Sequence, residues 1–289
     1  MARLAERLPE NAAGEVYVDR TCIDCATCRL LAPDTFTAGD GFSFVHRQPD
    51  GDAARHRALM ALVACPTGSI GTVSRLDAKP ALRAFPERVD GEVYFCGYTS
   101  KDSFGAWSYL LRRDAGNVLV DSPRAAGPLL TRLDELGGVR LLALTHRDDV
   151  ADHRQIAKRF GCERVLHARD VTEGTRDVER KPDGDDPVAL HPDLLMIPTP
   201  GHTRGHAVFL YQDRYLLTGD HLAWSERRGH LIGFRTACWY SWPEQIRSME
   251  RLLDHSFEWV LPGHGQRYHA PSAAAMRTEL ERCIRWMRS

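Results

Sequence analysis

Four short apolar runs, each ending in a histidine or an aspartate, constrain this chain more than any other feature. Residues 141–144 run into Thr145-His146-Arg147-Asp148-Asp149-Val150-Ala151-Asp152-His153. Residues 194–198 deliver Thr199-Pro-Gly-His202-Thr-Arg-Gly-His206, residues 215–217 deliver Thr218-Gly-Asp220-His221, and residues 258–261 deliver Pro262-Gly-His264. Runs of this length suit buried strands, and the ends of buried strands are where an α/β scaffold presents its chemistry. Glycine beside the polar residue lets the backbone turn tightly in the last three. Carboxylate together with neutral imidazole is the ligand set of zinc and non-haem iron, so four converging strand ends would build a metal site.

The surrounding pattern alternates. Residues 92–98, 107–111 and 117–120 read as strands, 125–137 as a helix closed by Gly137-Gly138, and 152–160 as a helix closed by Gly161. Residues 165–167 suit one more short strand, and 272–287 form an amphipathic helix placed to cover a sheet. Strand alternating with helix favours a layered α/β fold. The polar, Asp- and Gly-rich stretch 170–187 reads as an exposed loop, either a lid over the site or a disordered segment. Residues 74–90 carry Pro80, Pro86 and mixed charges without periodicity, which suits a linker between domains.

At 289 residues, 43% apolar and with a net charge of −1, the chain has room for one large and one small domain in a soluble protein. Neither nucleic acid nor membrane is indicated as a partner. No apolar run approaches a spanning length, and the first twenty residues lack a basic region followed by a hydrophobic one, so cytoplasm is expected. Of eight cysteines, Cys96, Cys162, Cys238 and Cys283 are scattered singly, which fits a reducing compartment.

The other four form a pattern. After a strand-like stretch at 15–20 comes Cys22-Ile-Asp-Cys25-Ala-Thr-Cys28, and Cys65-Pro66 follows a helix expected over 53–63. Cys-x2-Cys-x2-Cys with a remote Cys-Pro is the bacterial 4Fe–4S ligand pattern, whereas zinc knuckles favour two Cys-x2-Cys pairs. In two-cluster ferredoxins a further Cys-Pro follows the triplet; here Ala32-Pro33 stands there, and Arg55, Ala58 and Ala61 occupy the partner triplet's places. Residues 13–73 therefore resemble a single-cluster bacterial ferredoxin. The resemblance implies a small α+β domain holding one 4Fe–4S cluster on Cys22, Cys25, Cys28 and Cys65, with a redox partner protein possible at its surface.

Residues 91–289 resemble the metallo-β-lactamase superfamily, on the strength of Thr199-Pro-Gly-His202-Thr-x-Gly-His206, Gly219-Asp220 and Pro262-Gly-His264 in that order. The resemblance implies an αββα sandwich holding two divalent ions (zinc or iron, or else manganese). By position, His202 completes the first metal, His264 the second, and Asp220 bridges them; Asp121 matches a structural aspartate near the site. The family's first motif, His-x-His-x-Asp-His, is broken here: from His146 it asks for His at 148 and Asp-His at 150 and 151, where the chain has Asp148, Val150 and Ala151. A two-residue insertion recovers Asp152-His153. His146 and Asp148 are then assigned to the first metal, with Asp149 replacing Asp148 if the loop bulges, and Asp152 and His153 to the second. Asp152 also stands at a helix start with Gln155 at capping-box spacing, and capping is compatible with ligation.

Other candidates have blander readings. His206, His221 and His230 fall off the ligand positions and are expected to support the ligands or face solvent, and the remaining histidines are ordinary core or surface residues. Trp224, Trp239, Tyr240 and Trp242 suit core packing better than a pocket wall. A dinuclear site of the implied kind activates water for attack on a thioester, lactone, phosphoester or similar bond of a small-molecule substrate, with Asp152 orienting that water and shuttling its proton as the catalytic residue. A second reading follows from flavodiiron proteins, which this fold also resembles and whose first motif carries a carboxylate where hydrolases have the second histidine. Asp148 makes the site similarly oxygen-rich, which favours iron, and a 4Fe–4S domain on the same chain would feed electrons to a di-iron redox centre. A third reading is a non-catalytic redox sensor or binding protein.

Overall fold

A computed structural model describes residues 2–289. The chain divides into two compact units, one made of everything up to Arg140 together with Ala151–Phe160, the other of Leu141–Val150 with Gly161–Ser289.

In the first unit, β1 (Val16–Val18) pairs antiparallel with β4 (Ile70–Thr72), placing Tyr17 opposite Gly71. Between them run α1 (Thr27–Leu31), the hairpin β2 (Phe36–Ala38) and β3 (Ser43–Val45), and α2 (Gly51–Ala64), whose C-cap is Cys65. The stretch 74–90 contains α3 (Lys79–Arg83) and β5 (Glu87–Asp90), and Phe85 within it is fully buried, edge-on to Phe95 at 5.6 Å. That strand opens an antiparallel meander through β6 (Val93–Phe95), β7 (Tyr109–Leu111) and β8 (Val118–Val120). Every residue of β7 and β8 is buried, as expected of continuous apolar runs. Helix α4 (Gly127–Glu135) buries Leu129 and Leu133, four apart on one face, and α5 is His153–Phe160.

The second unit begins with β9 (Leu141–Ala143), parallel to β10 (Glu163–Val165), the latter two residues earlier than its sequence pattern suggested. Its main sheet is formed by β11 (Val188–His191), β12 (Leu194–Pro198), β13 (Ala207–Tyr211) and β14 (Tyr215–Gly219), consecutive antiparallel neighbours. A separate hairpin follows, β15 (Ala223–Ser225) with β16 (His230–Ile232), and the main sheet is completed by β17 (Trp259–Pro262), parallel to β14, and β18 (Tyr268–His269). Because β12, β14 and β17 point the same way, their carboxyl ends share one end of the sheet. Helices α6 (Trp242–Arg251) and α7 (Ala273–Met287) supply Met249, Met276, Leu280, Ile284 and Met287 to a core that also takes Ile197, Val208, Leu216 and Val260 from the sheet. Each such side chain contributes roughly 1.5–3 kcal/mol by its burial.

The fold class is α/β, as expected, with a small α+β segment at the start. Trp224 and Trp242 pack against this core, whereas Trp239 and Tyr240 are 63% and 49% exposed and the core expectation fails for both. No helix of the described residues is long and apolar enough to cross a membrane.

Candidate metal centre

The second unit gathers five of the seven expected metal ligands. His146 and Asp148 follow β9, His202 follows β12, Asp220 follows β14 and His264 follows β17. Gly263 N–H donates to Gly219 O at 2.9 Å, tying two of these loops together. Gly219 has φ +47°, and a Cβ there would sit 2.5 Å from Thr145 Oγ1, so the turn before Asp220 needs glycine for both conformation and space.

One carboxylate oxygen organises the group. Asp220 Oδ2 lies 4.0 Å from His146 Nε2, 3.8 Å from His202 Nε2 and 3.8 Å from His264 Nε2. Asp148 Oδ2 adds itself at 3.9 Å from His146 Nε2 and 3.5 Å from His202 Nε2. Two donor atoms bound to one tetrahedral ion at zinc-like bond lengths stand about 3.4 Å apart, so these spacings suit an ion held between them. The polar accounting points the same way: His146 Nε2, His202 Nε2 and Asp220 Oδ1 are buried with no hydrogen-bond partner among the described residues. Buried polar atoms rarely go unpaired, and a metal is one partner that resolves this.

Protonation states also fit. Burial pushes the His146 imidazole down to about 4 against an opposing pull from Asp220, so its lone pair is available at neutral pH. The neighbouring imidazole of His202, 3.5 Å away, and then that of His146, hold the Asp148 carboxyl below its ordinary value. Thr145 Oγ1 lies 2.9 Å from His146 Nδ1, which orients the ring with Nε2 towards the site.

Asp149 is nearly fully buried, and its carboxylate joins His146 and Asp220 in a second group of potential ligand atoms within 4.8 Å of one another. A Cβ at Gly263 would lie 3.0 Å from both Asp149 Oδ2 and Asp220 Oδ1, so glycine leaves room between the carboxylates. Asp152 and His153, assigned to the second metal from the sequence, fall in the other unit and in neither group. There Asp152 precedes α5, its Oδ2 accepting from Ala125 N–H at 2.8 Å and its Oδ1 from Gln155 Nε2 at 3.2 Å.

His206 and His221 do not face solvent. Both are fully buried, their rings stack at 5.5 Å, and His206 lies 5.1 Å from His146 by ring centroids. Burial pushes His206 well below its ordinary value and His221 down to about 3, which leaves both neutral.

In the first unit, Cys22, Cys25, Cys28 and Cys65 line a single cavity with Val18, Ile23 and Ile70. Ser43 N–H donates to Cys22 Sγ at 3.4 Å and Ser69 N–H to Cys65 Sγ at 3.3 Å. Converging sulfurs with backbone donors aimed at them suit thiolates bound to a cluster. Burial raises the Cys25 thiol and pushes Cys28 to about 12, so cluster assembly must displace protons. The cover comes from beyond the ferredoxin-like segment. Gly105, at φ +85°, packs so closely that a Cβ there would lie 2.7 Å from Cys25 Cβ, and Thr27 Oγ1 donates to Gly105 O at 3.3 Å.

Comparison with known proteins bears on both sites. Residues 18–72 match the family described as the 4Fe-4S single cluster domain of ferredoxin I. A hydroxyacylglutathione hydrolase of Klebsiella pneumoniae is 29% identical over 115 residues, 39% of this chain and 45% of the relative, so the match spans less than half of that protein's length. Among solved structures, a metallo-β-lactamase superfamily protein of Sulfolobus tokodaii aligns with TM-score 0.45 at 17% identity, over 67% of this chain and 86% of its own. ETHE1 of Myxococcus xanthus aligns with TM-score 0.47 at 20% identity, over 68% and 90%. Residues 18–72 thus match a single-cluster ferredoxin domain, on a chain whose similar structures include a metallo-β-lactamase superfamily protein.

Proposed function

We propose that the protein is a metal-dependent hydrolase of the metallo-β-lactamase type with a 4Fe–4S domain on the same chain. The observation that carries this reading is the position of Asp220 Oδ2 at 3.8–4.0 Å from three imidazole Nε2 atoms, which suits a carboxylate shared between two ions. The similarity to a hydroxyacylglutathione hydrolase supports the reaction class. Metal ions bound there would supply Lewis acidity to a water and to the group it attacks. His146, His202 and Asp148 would hold the first ion, and His264 with Asp220 the second, joined by Asp149 or by the sequence-based pair Asp152 and His153. Asp152 keeps the role of orienting the water and moving its proton on the sequence motif alone.

The chain's own residues also shape the approach of substrate. Trp239 N–H and Tyr240 N–H donate to His202 O at 2.9 and 3.1 Å, and the exposed Trp239 ring stands 6.2 Å from the His202 ring. An exposed aromatic edge strapped to a ligand loop suits contact with a small organic substrate.

One observation favours the second reading, a di-iron redox centre fed by the cluster. Asp148 approaches His202 Nε2 more closely than Asp220 does, which would give the first position two imidazoles and two carboxylates, a donor set that suits iron or manganese better than zinc. Counting metals and labile sulfide per chain in protein purified without oxygen separates the two. Two zinc ions beside four cluster irons are expected for a hydrolase, six irons for the redox enzyme. Failure of the zinc-loaded protein to turn over any of a panel of thioesters, lactones and phosphoesters would sink the hydrolase reading.

A further inference from the structure

We infer that Asp170 is a positioning residue of the metal centre, its carboxylate fastening the loop of His146 and Asp148 to the loop of His202. The inference rests on the metal-centre reading above. Asp170 ends the 3-10 turn Ala168–Asp170 that follows β10 and is 1% exposed. Three donors converge on it: Arg147 N–H at 3.1 Å and the Thr203 hydroxyl at 2.5 Å on Oδ2, and Gly205 N–H at 2.7 Å on Oδ1. Arg147 stands between His146 and Asp148, Thr203 follows His202, and Gly205 precedes His206. One buried anion therefore fixes two ligand loops relative to each other.

A buried carboxylate persists only where donors compensate its lost hydration, and backbone N–H and hydroxyl groups do so strongly. An asparagine at 170 fails whichever way its amide is turned. With the oxygen towards Arg147 and Thr203, the NH2 meets the Gly205 N–H; reversed, the Thr203 hydroxyl can turn to accept but the NH2 still meets the Arg147 N–H.

Gly205 gives independent support. A Cβ there would lie 2.5 Å from Asp170 N and 2.9 Å from Arg169 C, so the His202 loop rests directly on the Asp170 turn at a distance that only glycine allows. The second glycine of the Gly-His-Thr-x-Gly-His stretch thus serves close approach, a role distinct from turning the chain. Ligand geometry depends on such outer contacts, and losing one typically weakens metal affinity by about 10–100-fold.

The test uses the full-length protein, stripped at the metal centre with its oxidised cluster intact, and titrated with manganese(II), whose preference for oxygen and nitrogen keeps it from the cysteines. Affinity is read from the free ion's electron paramagnetic resonance signal and site geometry from the bound ion's line shape. Asp170→Asn is expected to bind about 10–100-fold more weakly with an altered line shape. Thr203→Val, which removes one of three donors and keeps the carboxylate, should shift both readouts in the same direction by less. Wild-type affinity and line shape in Asp170→Asn overturn the inference. If that variant fails to fold, Thr203→Val decides: weaker binding with a changed signal upholds the positioning role, and an unchanged titration rejects it. A wild-type protein that takes up no manganese removes the metal centre itself and the inference with it, an outcome distinct because the unmodified chain then fails too.

Discussion

Two acids compete for the second metal position. Spacing in the sequence proposes Asp152, recovered with His153 by a two-residue insertion, whereas Asp149 is proposed by its approach to His146 and Asp220. Asp152 accepts hydrogen bonds on both oxygens, from Ala125 N–H and from the Gln155 side chain, at the start of α5. A carboxylate so engaged ties the start of α5 to Ala125, a hydrogen bond whose loss costs about 1 kcal/mol. Asp149→Asn is therefore expected to lower the metal count per chain, and Asp152→Ala to leave the count intact while lowering stability by about that amount. Metal analysis of the two purified variants checks this, and the reverse pattern would restore the spacing-based assignment. The convergence of His146, His202, Asp220 and His264 was legible because each follows an apolar run that folds as a strand. Asp149 was visible only as a substitute for Asp148, because the path of a loop of consecutive acids is set by tertiary contacts such as the Arg147–Asp170 hydrogen bond, which no local pattern encodes.

At the scale of elements, the polar stretch 170–187 shows why composition misleads. It read as a lid or a disordered segment, yet residues 177–180 are fastened to β10. The Arg164 side chain, only 6% exposed, reaches Glu179 through Nη2 at 2.7 Å and Nε at 3.0 Å, and Nη2 also donates to Asp177 O at 2.6 Å. Arg180 N–H donates to Arg164 O at 3.0 Å, so the segment covers an otherwise open strand edge. A charged residue in a short strand gave no hint of this, since the partner lies fifteen residues away in a region without periodicity. Hydrogen bonding from Arg164 holds the Glu179 carboxyl below its ordinary 4.5, and a depressed carboxyl stabilises the fold fully above the unfolded value and loses that contribution as pH falls through the folded one. With Glu179 43% exposed and screened by solvent, Glu179→Gln is expected to cost about 1 kcal/mol at neutral pH. The difference from wild type should shrink below pH 4.5, and denaturant titrations that give the same difference at both pH values would refute the assignment. The sequence also left β13 and α6 unread although their signals were present. Ala207–Tyr211 is a continuous apolar run buried at every position, and Ser241 caps α6 by accepting from Glu244 N–H at 3.3 Å, with proline in the first turn.

For the molecule as a whole, the cysteine pattern reported a ferredoxin domain but not what surrounds it. The cysteines and the strand meander belong to one compact unit. Residues beyond 73 supply much of what touches the ferredoxin segment: Thr99 Oγ1 donates to Ala64 O at 2.6 Å, Arg124 Nη2 to Val63 O at 3.1 Å, and Trp107 Nε1 to Thr27 Oγ1 at 3.4 Å. The first two act on the last turn of α2, whose C-cap is Cys65, and they satisfy carbonyls that a helix end leaves open. Trp107 in turn stacks on Phe95 at 4.2 Å, so its indole is held by the meander's own packing. A cluster whose ligands are held partly from outside the segment should decay faster once that support is cut away. A fragment ending at residue 73 is expected to lose its cluster absorbance in air several-fold faster than the whole protein, and Gly105→Ala, whose Cβ would press 2.9 Å from Cys25 Sγ, should speed the loss within the full chain. If fragment and variant both match the intact protein, the ferredoxin segment is self-sufficient and the meander's contacts are only packing.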